Sequence, residues 1–99
     1  MNGIYTVDQI RTILEPVFRS HGIRRAVLFG SYGKGDATSR SDIDIYVDSQ
    51  LKGLAFYGLL EDVVTSLKKD VDLIDRRELK AGSALLESID RTGVEIYAS

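Results

Sequence analysis

The sequence contains no cysteine and no tryptophan, a single proline and a single histidine. Without cysteine there is no disulfide framework and no thiolate metal site, so any metal has to be held by oxygen or by His21. Excess positive charge is missing too: 13 basic against 15 acidic side chains leave a formal charge of −2. Nothing therefore draws the whole chain towards nucleic acid, and direct nucleic-acid binding is not expected. No apolar stretch approaches the length of a membrane span, and the first residues lack a charged leader followed by an apolar run, so a cytoplasmic protein is expected. What is present is an ordinary globular composition, 43% hydrophobic and 28% charged. Ninety-nine residues suffice for one core, which predicts a single domain over 1–99.

Periodicity gives the elements. Thr6 and Gln9 form a capping-box pattern, with Tyr5 and Ile10 placed as a hydrophobic staple. Val7, Ile10, Ile13, Leu14, Val17 and Phe18 then recur at helical spacing. Pro16 is expected to kink or restart this helix, and Gly22 to stop it. Ala26 to Phe29 is an apolar strand, residues 31–35 a short helical turn, and 36–40 a polar loop. From Asp42 to Val47 the chain alternates, placing Ile43, Ile45 and Val47 on one face and Asp42, Asp44 and Tyr46 on the other. A second amphipathic helix is expected over 54–68, with Leu54, Phe56, Tyr57, Leu60, Val63, Val64 and Leu67 as its stripe. A strand over 71–74, a helix from Leu79 to Arg91 and a last strand over 94–97 complete the chain. This order predicts the α/β (α+β) class, a small mixed β-sheet packed with helices.

Two stretches carry chemistry. Gly30-Ser31-Tyr32-Gly33-Lys34-Gly35 follows the apolar strand, and its glycine lets backbone come close to a ligand while Ser31 opens a helical turn. A Walker loop is excluded because Lys34 precedes Gly35 rather than Ser or Thr, and the dinucleotide fingerprint because no third glycine follows in place. Asp42 and Asp44 leave one face of a strand with Cα atoms about 6.5–7 Å apart, a spacing that lets two carboxylates meet one or two hard cations. Either stretch alone is equally an empty turn or the solvated face of an edge strand.

Together, Leu28 to Gly35 and Ser41 to Ile45 resemble the polymerase-β-like nucleotidyltransferase superfamily, and within it the minimal nucleotidyltransferases, or MNT-domain proteins. In that family a Gly-Ser corner precedes an Asp-x-Asp pair, and a third carboxylate follows on a later strand; Asp72 matches it, with Asp70 and Asp75 as rivals. The chain departs from the pattern where Gly33-Lys34 stands in place of Ala-Arg. The resemblance implies two Mg²⁺ ions on Asp42, Asp44 and Asp72, ATP as substrate, and Gly30 and Ser31 on its β- and γ-phosphates. It further implies a HEPN-domain toxin as partner, silenced when AMP is transferred to one of its tyrosines. Two other functions stay open: an antitoxin that neutralises by binding alone, and an enzyme modifying a small molecule. His21, Arg24-Arg25, Arg76-Arg77 and Lys34 read as capping or solvated groups.

Overall fold

The computed structural model describes residues 4–99. Helix α1 spans Val7–His21, held at its start by the Thr6–Gln9 capping box and closed by Gly22 at φ 68°. Pro16 lies inside it without ending it. Its ring is on the exposed side, where water can solvate the carbonyl one turn earlier that lost its donor. Strand β1 (Arg25–Phe29) runs into the short helix α2 (Gly30–Lys34), and β2 (Ile43–Asp48) follows. Helix α3 (Leu54–Leu67) leads to β3 (Val71–Asp75), and α4 (Ala84–Thr92) to β4 (Val94–Ala98).

The strands form one sheet in the order β3-β2-β1-β4. β1 is antiparallel to β2 and β4, whereas β2 and β3 are parallel, joined by α3. Alternation divides the sheet's two faces. Ala26, Leu28, Ile43, Ile45, Val47, Leu73 and Ile96 face the main core, closed by Ile10, Leu14 and Phe18 of α1 and Leu59, Val63 and Leu67 of α3. Burying a side chain of this size stabilises the fold by about 1.5–3 kcal/mol. On the other face Val27, Phe29 and Tyr46 pack under Ile89 of α4 in a smaller cluster.

Three expectations are corrected. The stripe of α3 includes Leu59 and excludes Leu54 and Tyr57, which are 87% and 64% exposed, because the helical face built on residues 59, 63 and 67 points those two away. The helix expected from Leu79 begins only at Ala84. Asp75 and Glu78 instead form a capping box around a 3-10 turn, Arg76–Glu78, and Ser83 caps α4 with its hydroxyl. Finally, β2 begins at Ile43, leaving Asp42 just before the strand.

Candidate active site

The hairpin-like pairing of β1 with β2 sets Phe29 opposite Asp44, and the parallel pairing of β2 with β3 sets Asp44 beside Asp72. A single row therefore crosses the sheet from the end of β1 through Asp44 to Asp72. Neighbouring strands lie about 4.8 Å apart, so the two carboxylates leave the same face one strand spacing from each other. Asp42 is delivered by a self-braced loop: the Thr38 N–H donates to Ser41 Oγ at 2.9 Å, and the Ser41 N–H to the Thr38 carbonyl at 3.0 Å. Burial, and then the negative charges of Asp72 and Asp42, push the Asp44 carboxyl above its ordinary pKa. Asp44 is half-buried and feels the charge of both Asp72 and Asp42.

Gly30 closes the other side of Asp44. It has φ 69°, and a Cβ built on it would lie 2.3 Å from Asp44 Oδ2. Both facts require glycine: L residues rarely adopt this backbone, and the Asp44 carboxylate already occupies the space a side chain would need. The first N–H groups of α2 have no carbonyl within the helix to receive them, and no side chain caps its start. Gly33 completes the fit, since a Cβ there would stand 2.8 Å from the Leu28 carbonyl. Tyr32 anchors α2 in the main core at 3% exposure, its ring 5.9 Å from Lys69 Nζ and its hydroxyl without a hydrogen-bond partner among the described residues.

The rival carboxylates separate by environment. Asp75 is 4% exposed on the opposite face, where its Oδ1 accepts from the Ser49 hydroxyl at 2.6 Å and the Ser49 N–H at 3.1 Å. Burial raises its pKa, but the donors from Ser49 and Arg77 outweigh that and hold it below the ordinary value. It is a structural anion. The Asp75-to-Glu78 capping signature was readable in the sequence and identifies this role. Asp70 gives its backbone carbonyl to the Ile43 N–H at 3.2 Å, and its side chain is exposed. Tyr46 shares the aspartate face but is 5% exposed within the smaller cluster, and burial followed by the charge of Asp48 pushes its phenol up. His21 pairs with Asp62 at 2.6 Å, Arg25 with Glu95 at 3.1 Å and Arg76 with Asp48 at 3.6 Å, all away from the row.

The donor set suits a hard divalent cation. Carboxylate oxygens are the ligands such a cation takes, and positive charge here would relieve the repulsion that Asp72 and Asp42 impose on Asp44. Among the described residues, no three His, Cys, Asp or Glu side chains stand close enough together to hold a metal ion by themselves. A concavity of about 410 Å³ lies at the far end of β3, lined by Phe56, Tyr57, Asp75 and Arg77 and by none of the row. Asp42 and Asp72 are exposed to solvent, and Asp44 is half-buried between them.

Residues 12–99 match the family model described as "Polymerase beta, Nucleotidyltransferase". The chain is 34% identical over 88 residues to the protein adenylyltransferase MntA of Thermococcus cleftensis, covering 83% of this chain and 89% of that protein. It is 38% identical over 42 residues to a putative protein adenylyltransferase of Methanocaldococcus jannaschii, a match spanning 42% of this chain and 45% of that protein. The fold superposes on the crystal structure of a toxin–antitoxin with AMP-PNP at a TM-score of 0.72 and 28% identity, covering 90% of this chain and 73% of that one.

Proposed function

The chain belongs to the polymerase beta nucleotidyltransferase family, and from that premise we propose that it transfers AMP from ATP to a tyrosine hydroxyl of a HEPN-type toxin, acting as its antitoxin in the cytoplasm. The observation that carries this reading is the row in which Gly30 backbone, Asp44 and Asp72 adjoin across three strands. Asp42, Asp44 and Asp72 would hold two Mg²⁺ ions. When bound there, Mg²⁺ neutralises charge on the phosphoryl oxygens and lowers the pKa of the attacking hydroxyl.

The chain's own residues do the rest. The free N–H groups at the start of α2, at Gly30 and Ser31, bind the β- and γ-phosphates and keep the leaving group at the β1 end of the row. Asp72, at the other end, orients the acceptor hydroxyl and takes its proton. The acceptor oxygen forms a bond to the α-phosphorus, the bond from that phosphorus to the bridging oxygen breaks, and pyrophosphate leaves with the electron pair.

The match to a named protein adenylyltransferase over most of the chain, and the fold shared with a toxin–antitoxin bound to AMP-PNP, support this substrate class. Mixing the chain with the HEPN partner, ATP and Mg²⁺ and weighing the partner by mass spectrometry is the test. An AMP-sized mass gain that disappears in Asp44→Ala is expected. A partner of unchanged mass overturns the proposal, and neutralisation that survives Asp44→Ala would establish binding alone.

A further inference from the structure

The two edges of the sheet are finished differently. At β4 the pairing with β1 is interrupted by a register shift at Ala26/Val27, and Arg11 reaches from α1 to donate to the Glu95 carbonyl at 3.0 Å. Bulges and charged side chains placed in this way stop another strand from adding. At β3 the pairing with β2 runs unshifted from Val71 to Asp75.

The direction of the free groups of β3 follows from one bond. The Ile43 N–H donates to the Asp70 carbonyl, so residues 70, 72 and 74 turn their backbone groups towards β2, while Val71, Leu73 and Asp75 turn theirs outward. The Asp75 N–H is taken by Glu78 Oε2 at 2.8 Å. The outward groups of Val71 and Leu73 have no partner among the described residues. A short, regular edge that no described residue pairs at Val71 and Leu73 therefore adjoins Asp72.

We propose that the acceptor protein docks by adding an extended segment to the outer edge of β3, paired with the backbone of Val71 and Leu73, with its reactive hydroxyl side chain registered beside Asp72. This rests on the transfer reading above and gives it an approach path. In-line displacement needs the attacking oxygen and the leaving oxygen on opposite sides of the α-phosphorus. With the leaving pyrophosphate held at Gly30 and Ser31, against Asp44 on its β1 side, the opposite approach to the α-phosphorus runs from Asp72 and the outer edge of β3. A residue of an added strand opposite Asp72 would stand about 4.8 Å further along the same row, on the same face. Main-chain pairing of this kind gives affinity from a short segment, and alternate side chains give selectivity.

The HEPN partner used in the transfer assay serves as the probe. Amide exchange is followed at Val71 and Leu73, with Asp72 and Ile74, already bonded to β2, as internal references. At least tenfold slower exchange at Val71 and Leu73 on adding the partner, with the references unchanged, is expected. Val71→Pro removes one outward N–H at the first residue of the strand, a position where proline is tolerated. It should lower transfer at least tenfold while leaving stabilisation by ATP and Mg²⁺ intact. If the partner gains AMP but both amides exchange at their free rate, the docking mode is overturned and the transfer reading stands. Slowed exchange without any mass gain supports the docking edge and overturns the transfer reading. Slowing that follows the chain's own concentration instead of the partner's assigns the edge to a second copy and overturns the proposal.

Discussion

Gly30→Ala and Gly35→Ala form a matched pair that separates the cost of the backbone from the cost to the site. Both glycines sit in the left-handed region, at φ 69° and 81°, and both bound α2. An alanine in this conformation loses about 1–2 kcal/mol, and each kcal/mol lowers the melting temperature of a domain this small by about 4–8 °C. The two variants share that loss. They differ in what the new methyl meets: nothing within 4 Å at Gly35, but Asp44 Oδ2 at 2.3 Å and Asp44 Cγ at 3.2 Å at Gly30. Asp44 can escape only by rotating its carboxylate out of the row, at a further cost of about 0.5–1.5 kcal/mol if it leaves its preferred rotamer. Thermal melts with and without ATP and Mg²⁺ give the readout, since a ligand present at a hundred times its Kd stabilises by about 2.7 kcal/mol. Gly35→Ala should start lower and keep this ligand-induced gain. Gly30→Ala should start lower still, lose most of the gain, and transfer AMP at least tenfold more slowly. Equal loss of the ligand-induced gain in both variants would show that contact with Asp44 is not what Gly30 provides.

Two further outcomes follow from the carboxylates. The raised pKa of Asp44 means that the folded state binds its proton more tightly than the unfolded chain does. Its ionisation therefore takes stability away as pH rises through that value. Asp44→Asn should be at least as stable as the parent at neutral pH without Mg²⁺, should lose this advantage in acid, and should be inactive in transfer; urea melts at the two pH values check the first two points. Asp75 has the opposite sign: its pKa is lowered, so its stabilisation is present above the ordinary carboxylate range and is lost as pH falls through the folded value. Ser49→Ala, which leaves Asp75 buried without the hydroxyl donor, should cost about 1–3 kcal/mol at neutral pH and progressively less in acid, measured in the same way.

Much of this architecture could be read from local pattern. The Thr6–Gln9 box and Gly22 bracket α1 because caps are local interactions, and the alternation of β2 assigns its two faces because strand parity is local too. Where two local signals competed, apolar spacing misled: residues 79–83 look helical, yet Asp75 and Glu78 tie up the preceding turn and Gly82 adopts φ 79°. Leu54 and Tyr57 failed for a related reason, since a helical stripe does not show which of its margins meets the sheet. Within the site, strand parity put Asp42 and Asp44 on one face, but β2 begins only at Ile43, after Asp42, and Asp72 entered only through family resemblance. Its registration beside Asp44 depends on a parallel pairing across an intervening helix. The contact between Gly30 and Asp44 was beyond reach of sequence spacing, because the pairing of β1 with β2 creates it.

The unequal filling of the sheet's two faces bears on how such a domain can diversify. The large core lies wholly on the side of α1 and α3, while the carboxylates share theirs only with the small cluster beneath α4. Substitutions around the row thus touch the smaller of the two clusters and leave the larger core intact. A lineage can reshape α4, the 3-10 turn or the outer strand to suit a new acceptor while the opposite face keeps the chain folded. The two faces meet at α2, where Gly30 abuts Asp44 while Tyr32 is buried in the main core.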